Sequence, residues 1–154
     1  MTTIAYKDGI LAADTQLTED NLKSFCRKID VLPEGTVVAS CGGLTDQTVF
    51  LEWLANPKKK KPPTTFHKGF ELILIDPDRD AVYYDPHCIP HKINDPIWST
   101  GSGWKIARAA MMLGLSAKES VEFAGDIDVC TNKLVDTYDT KTKKLTLARF
   151  PRIK

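Results

Sequence analysis

Short β-prone runs of apolar and polar residues dominate the first part of the chain. The first two runs are divided by Asp8-Gly9, a dipeptide typical of a tight hairpin turn. The two predicted strands are Thr3–Lys7 and Ile10–Asp14. Pairing Lys7 with Ile10 across the turn fixes the register, and it places Asp14 opposite Thr3. The pattern therefore predicts a carboxylate beside the beginning of the chain.

The remaining runs predict further strands and three helices. The predicted strands cover residues 25–32, 36–41, 70–75, 81–84, 89–93, 97–100, 134–138 and 145–150. One helix carries an apolar stripe and ends at Asn56-Pro57. A second begins at Gly101-Ser102-Gly103 and runs to about Gly114. A third begins at the capping box Ser116–Glu119 and runs to about Thr131. The polar segment 15–23 is predicted to be a loop. Helices grouped around antiparallel hairpins predict an α+β fold in a single domain, residues 1–154.

The bulk composition narrows the class of protein. The chain is 42% hydrophobic and 27% charged, with a net charge of +1, which gives no reason to expect a nucleic-acid or membrane partner. No apolar run approaches the roughly 20 residues that a membrane-spanning helix needs, and no signal peptide is visible. The four cysteines fit a reduced protein. We therefore expect a cytoplasmic protein.

Four local features predict a nucleophilic site. Removal of Met1 is expected because Thr2 is small, and it would leave Thr2 with a free α-amine. Such an amine titrates near neutral pH and can act as the base for its own hydroxyl. The other features are Asp14, a charged Lys28 in an apolar strand, and the Gly42-Gly43 amides, which could donate to an oxyanion. Each feature alone is weak, and their combination carries the hypothesis.

These features stand in segments that resemble the proteasome β-subunit/HslV-type peptidase family of N-terminal nucleophile hydrolases. The matching segments keep the family's order and span nearly the whole chain. They are Thr2-Thr3-Ile4, Ala12-Ala13-Asp14, Arg27-Lys28, Gly42-Gly43-Leu44-Thr45-Asp46, Gly101-Ser102-Gly103 and the run from Ala124 to Asn132. The first hairpin is four residues shorter than the family's usual one. An even deletion split between two strands preserves the face that each side chain takes.

The resemblance implies a four-layer αββα sandwich, in which two antiparallel sheets lie between helical layers. It implies that Thr2 is the nucleophile of a threonine peptidase and that its own amine is the general base. Lys28 would lower the pKa of the hydroxyl, and Asp14 would hold Lys28 and the amine in place. The Gly42 amide would form the oxyanion hole, and Ser102 would form a hydrogen bond near the amine.

The resemblance also implies binding sites. A monovalent cation such as Na⁺ would be held by backbone carbonyls at the end of the last helix, at Gly125, Asp128 and Thr131. The residues aligned with the family's specificity pocket predict a modest, mostly apolar pocket. These are Leu17, Cys26, Ser40 and Leu44.

Expectations about partners come from the resemblance as well. The substrate would be a peptide or an unfolded protein, and the protein would form a ring-shaped homo-oligomer. In the family a second helix follows the first and faces an unfoldase ATPase. The resemblance thus allows an unfoldase ATPase partner, but this chain has the short polar segment Lys58–Pro63 where the docking helix would be.

Two other functions are compatible with the sequence, an amidase of the same nucleophile class acting on a small amide and a catalytically silent structural or assembly protein that keeps the fold. A zinc site is a third alternative, in which the ligands would be His67, His87, Cys88 and His91. Prolines flank the Cys88-x-x-His91 pair and no second paired motif accompanies it. This favours a partly exposed loop over zinc.

Overall fold

The computed structural model of the protein describes residues 2–20, 22–56, 66–67, 69–77 and 80–151. These residues form twelve strands and three helices. The strands are β1 Thr3–Lys7, β2 Ile10–Asp14, β3 Gln16–Glu19, β4 Leu22–Phe25, β5 Ile29–Val31, β6 Val37–Cys41, β7 Glu71–Ile75, β8 Val82–Tyr84, β9 Pro90–Lys92, β10 Ile97–Gly101, β11 Val135–Asp139 and β12 Lys144–Thr146. The helices are α1 Leu44–Leu54, α2 Trp104–Met112 and α3 Ala117–Ala124. The neighbouring strands pair antiparallel, which confirms the predicted α+β class.

The first sheet has the strand order β10-β1-β2-β11-β12 and contains the predicted N-terminal hairpin. Lys7 lies opposite Ile10 in this hairpin, as the sequence predicts. Asp8 and Gly9 have φ angles of 54° and 84°. Positive φ at both central residues is the geometry of the turn that matches the twist of two paired strands. Because β1 is flanked by β2 and β10, the beginning of the chain is held inside a sheet.

The second sheet has the order β5-β6-β7-β8-β9, and a separate hairpin pairs β3 with β4. That hairpin occupies residues 16–25, where the sequence predicted a loop over 15–23. The residues of β4 read Leu-Lys-Ser-Phe, which does not alternate between apolar and polar, so the sequence pattern does not indicate a strand there. The predicted strand 25–32 is also shorter, because only Ile29–Val31 pairs with β6.

Three buried clusters show how the elements pack. Small residues fill the contact between one face of the first sheet and helices α2 and α3. They are Ala5 and Ala12 on the strands and Ala107, Ala117 and Ala124 on the helices. The other face of this sheet packs on the second sheet through Ile4, Leu11, Ile29, Val37 and Ile73. The second sheet in turn contacts α1 through Val38, Phe50 and Leu72. Burial of each large aliphatic side chain here stabilises the fold by roughly 1.5–3 kcal/mol.

Helix α3 begins as predicted but ends early. The Ser116 side chain accepts from the Glu119 amide, and the Glu119 side chain accepts from the Ser116 amide, which confirms the capping box. The helix ends at Ala124 instead of near Thr131. Gly125 lies against the following chain, since a Cβ placed there would be 2.9 Å from the carbonyl carbon of Asn132. The segment between α3 and β11 thus folds back on itself, and its residues Thr131 and Asn132 contact Thr3 of β1 and Asp14 of β2.

The segment Lys58–Pro63 lies outside the described residues. Within the described part of the chain, no helix is long and apolar enough to cross a membrane.

Candidate active site

The carboxylate of Asp14 is completely buried at the end of β2 and is the centre of a dense set of hydrogen bonds. Its Oδ1 accepts from the Thr3 amide at 2.8 Å and from the Lys28 ammonium at 2.9 Å. Its Oδ2 accepts from the amides of Gln16, at 2.8 Å, and Asn132, at 3.3 Å. Buried charges are tolerated when they are paired and hydrogen-bonded in this way. The hairpin register therefore places Asp14 beside the first residues of the chain, as predicted.

Lys28 lies in the irregular stretch just before β5, and its side chain is only 4% exposed. Its backbone carbonyl accepts from the Ser40 amide of β6 at 3.3 Å, which fixes this stretch against the second sheet. The ammonium ion therefore reaches Asp14 from the opposite sheet. The structure brings Lys28 and Asp14 together as the resemblance implied, and Asp14 contacts the amide of Thr3 on the other side.

Thr2 is 4% exposed, and its carbonyl is fixed by the turn between β10 and α2. The Ser102 amide donates to this carbonyl at 2.7 Å, and the Ser102 hydroxyl lies 3.4 Å from it. Gly101 has φ of +92°, and a Cβ there would lie 1.8 Å from the Thr2 carbonyl oxygen. The glycine is thus required both by its backbone conformation and by the closeness of Thr2.

A second polar network lies on the other side of Thr3. The Thr3 hydroxyl accepts from the Gly103 amide at 3.0 Å and shares a 2.6 Å hydrogen bond with the Thr131 hydroxyl. Thr131 donates to Asp128 Oδ2 at 2.6 Å, and Ser102 donates to the same oxygen at 2.5 Å. A consistent proton arrangement runs from Thr3 through Thr131 to the carboxylate of Asp128, which only accepts. The network ties residues 102–103 and 128–131 to the beginning of β1.

Sequence reasoning assigned only the backbone carbonyl of Asp128 and missed its side chain. Partial burial alone would raise the pKa of this carboxyl. The hydrogen bonds from Ser102, Thr131 and the Cys130 amide lower the pKa by more than burial raises it. The pKa of Asp128 therefore lies below its ordinary value of 3.8. The spacing Asp128-x-x-Thr131, directly after a capped helix, is the sequence signal that could have indicated this cluster.

A cavity of about 320 Å³ opens beside Thr2. The described residues that line it are Thr2, Cys41, Gly42, Gly69, Glu71, Gly101, Ser102 and Trp104. Gly42 has φ of +104°, and a Cβ there would lie 2.7 Å from the Cα of Phe70. Only glycine fits this position without strain. The structure thus places the predicted nucleophile, the predicted oxyanion-hole glycine and Ser102 around one space.

The residues predicted to form the specificity pocket lie elsewhere in the described structure. Leu17 is on β3, Cys26 lies next to β4, Ser40 is buried on β6, and Leu44 begins α1 with 45% exposure. None of them lines the cavity beside Thr2. Their role in binding a side chain stays a prediction.

The predicted cation ligands surround the turns after α3. Gly125 caps that helix, and the Asp128 carbonyl accepts from the Thr131 amide at 3.1 Å. The zinc alternative receives no support, because the described residues contain no group of three or more His, Cys, Asp or Glu side chains able to hold a metal. His67 instead contacts Asp46 at 3.0 Å, and His91 contacts Asp85 at 3.3 Å.

Comparison with known proteins identifies the fold. No protein-family model and no curated protein matches the sequence. Among solved structures, however, the chain shares its fold with proteasome-type peptidases of the HslV kind.

Two of these structures illustrate the likeness. HslV from Trypanosoma brucei is 21% identical, with a TM-score of 0.69, and the match covers 88% of this chain and 96% of that one. Thiobacillus denitrificans BPH, solved in complex with epoxomicin, is 18% identical, with a TM-score of 0.67, and the match covers 89% of this chain and 96% of that one. The agreement in fold extends over nearly the full length of both chains.

Proposed function

We propose that the protein is a threonine peptidase that cleaves peptide bonds through an acyl-enzyme on Thr2, after removal of Met1. The observation that carries this proposal is that Thr2, Gly42 and Ser102 line one cavity. The buried Asp14–Lys28 pair contacts β1 next to Thr2, at the Thr3 amide. The HslV-like fold supports a peptidase of this class.

The residues divide the proposed reaction between them. The free amine of Thr2 takes the proton of the Thr2 hydroxyl, and the oxygen attacks the carbonyl carbon of the scissile peptide bond. The Gly42 amide donates to the oxyanion that forms. When the tetrahedral intermediate collapses, the C–N bond breaks and the leaving amine takes the proton. A water molecule then hydrolyses the ester in the same way and releases Thr2.

The surrounding groups make this chemistry feasible. The Lys28 ammonium lies in a nearly dry environment, where its positive charge would stabilise the developing Thr2 alkoxide more strongly than it would in water. Asp14 holds that ammonium at 2.9 Å and holds the Thr3 amide at 2.8 Å, so it positions Lys28 and the nucleophile's neighbour together. Ser102 and Asp128 would orient the amine of Thr2 from the other side.

We also propose the finer architecture that the resemblance implies. The packing of α2 and α3 on the first sheet, and of α1 on the second, supports a four-layer αββα sandwich. Exposed apolar side chains at the end of α2 and after α3 support a ring-shaped homo-oligomer. They are Met112, Leu113 and Val129, which are 73%, 84% and 76% exposed. Ultracentrifugation should find closed assemblies at micromolar concentration, and a stable 17.2 kDa monomer would contradict them.

A Na⁺ ion held by the carbonyls of Gly125, Asp128 and Thr131 is part of the proposal. Carbonyl oxygens are suitable ligands for such a hard cation, and the Asp128 carbonyl, which accepts one amide, has a second lone pair. The ion would stabilise the turns that carry Asp128. Replacing Na⁺ by a bulky organic cation at constant ionic strength should then lower the Tm of the protein, and an unchanged Tm would contradict the site.

The decisive experiment compares the purified protein with Thr2→Ala and Thr2→Ser. Intact-mass analysis should show loss of Met1, and fluorogenic peptides should be cleaved by the wild type but not by Thr2→Ala. Thr2→Ser keeps a hydroxyl and should retain measurable turnover. Epoxomicin, the compound present in the BPH structure, should inhibit the wild type. Near-full turnover by a correctly folded Thr2→Ala would show that the nucleophile is wrong, whereas a processed wild type without turnover would favour a silent protein that keeps the fold.

A further inference from the structure

A second cavity, of about 260 Å³, adjoins the one beside Thr2. Glu71 and Trp104 line both cavities, so the two spaces share a wall. The second cavity is lined by Glu71, Tyr83, Trp98, Ser99, Thr100 and Trp104. Three of these six residues are aromatic and one carries a carboxylate.

The Glu71 carboxylate is half-buried at the beginning of β7 and is held in place by neutral groups. The Thr100 hydroxyl donates to it, and the Cys41 thiol lies 3.9 Å away. Burial, together with the charge of Glu71, raises the pKa of Cys41 to about 12, so the thiol stays neutral. In the described part of the chain, no Lys, Arg or His side chain forms a salt bridge with Glu71. Among the described residues, the carboxylate thus has hydrogen-bond donors but no salt-bridge partner.

The aromatic walls suit a cation as well. The rings of Tyr83 and Trp98 pack with their centroids 5.1 Å apart, and Trp104 is 40% exposed at the edge of both cavities. The Lys105 ammonium already lies 5.7 Å from the Trp104 ring centroid, within the range of a cation–π contact. Burial and the neighbouring Glu71 both raise the pKa of Tyr83, so its ring stays neutral. A carboxylate among aromatic rings is the combination that binds an ammonium or guanidinium group on an apolar stem.

We propose that Glu71, Tyr83 and Trp104 form a subsite for a basic side chain, Lys or Arg, of a peptide residue that flanks the scissile bond. This inference rests on the proposed function, because it takes the cavity beside Thr2 as the place where the peptide is cleaved. It makes the protein selective for basic peptides, whereas the resemblance implied a mostly apolar pocket formed by four residues outside this cavity.

Two roles for Glu71 give different kinetics. If Glu71 binds the substrate's cation, Glu71→Gln lowers kcat/KM much more for a peptide with Lys at the preferred position than for its norleucine analogue. If Glu71 instead affects the charge of the Thr2 amine, Glu71→Gln lowers kcat/KM by the same factor for both peptides. The test compares matched internally quenched peptides that place Lys, norleucine or Glu at each position around the scissile bond.

We expect Lys to be favoured over norleucine about tenfold or more at one position, because hydrogen bonds between charged groups are of that strength. Glu71→Gln should abolish this ratio, and Glu71→Lys should shift the preference toward Glu. Raising the salt concentration should reduce the ratio in the wild type. Glu52→Gln is the matched control, because it makes the same charge change on the exposed face of α1 and should leave the ratio intact.

A binding measurement separates this inference from the proposed function. The Lys and norleucine peptides are titrated into Thr2→Ala while tryptophan fluorescence is recorded, since Trp98 and Trp104 both line the second cavity. Tighter binding of the Lys peptide that is lost in Thr2→Ala/Glu71→Gln supports the subsite even if the wild type cleaves nothing. Equal affinities, or no binding of either peptide, overturn it, and so does cleavage by the wild type without a Lys preference.

Discussion

The protein should lose much more stability when Asp14 of the buried Asp14–Lys28 pair is replaced than when Lys28 is replaced. Asp14→Asn keeps the shape of the side chain but leaves the Lys28 ammonium 4% exposed without its counter-charge. Removing one partner of a buried ion pair costs about 3–5 kcal/mol. The carboxamide also presents an NH₂ group where Asp14 accepts backbone amides. We therefore expect a loss of about 4 kcal/mol or more in the free energy of unfolding.

Lys28→Met leaves a better-compensated charge behind. The Asp14 carboxylate would retain the amides of Thr3, Gln16 and Asn132 as donors. The loss is then one hydrogen bond to a charged group, about 1.5–3 kcal/mol, partly offset because no ammonium has to be desolvated. We expect a cost of about 2 kcal/mol, so the two variants should differ by about 2 kcal/mol. That difference is large against a typical stability of 5–15 kcal/mol.

Urea unfolding at pH 7, monitored by circular dichroism at one protein concentration, measures both losses. Asp126→Asn is the control, since Asp126 forms a 2.8 Å pair with Lys133 in which both side chains are more than half exposed. That variant should lose less than about 1 kcal/mol. If Lys28→Met were as destabilising as Asp14→Asn, the ammonium and not the backbone amides would keep the carboxylate buried, and the reasoning above would be wrong.

Two further predictions concern the network around Thr3. Gly103→Ala should lower the Tm by several degrees, because its Cβ would lie 2.3 Å from the Thr3 hydroxyl. Gly43→Ala is the control and should change the Tm little, since its Cβ would contact only the end of the Asp46 side chain, at 3.1 Å. Equal Tm changes in the two variants would contradict this prediction. The lowered pKa of Asp128 stabilises the fold fully above pH 3.8 and less as the pH falls through the folded-state value. The stability difference between wild type and Asp128→Asn, measured by urea unfolding from pH 3 to 7, should therefore shrink only below about pH 4, and a difference independent of pH would contradict it.

The sequence could predict the part of the site that depends on local structure. The Asp8-Gly9 turn determines the pairing of Lys7 with Ile10, and this pairing brings Asp14 to Thr3. The capping box likewise determines where α3 begins. These signals are reliable because the interacting residues are close in the chain. The contact of Lys28 with Asp14 joins two sheets, and it could be expected only from the resemblance to a family.

The features that were missed depend on tertiary contacts or lack a pattern. Ile127 continues the apolar spacing of α3, three residues after Ala124, but it is 58% exposed, because the chain has already turned at Gly125. Glu71 and Trp104 are 33 residues apart, and they share a cavity only because the ends of β7 and β10 come together where the two sheets stack. A local pattern in the sequence cannot predict that two such distant residues line the same cavity.

The two sides of Thr2 should respond differently to mutation. On the Asp14 side, the groups proposed for catalysis also hold β1, β2 and the second sheet together, since Asp14 is buried and binds residues from four separate places. A substitution there changes stability and activity at once. On the cavity side, Glu71 and Trp104 are partly exposed and border open space. Changes in substrate preference without loss of the fold should therefore come from the cavity side, and Glu71 is the position at which we expect such a change to leave the Thr2 chemistry intact.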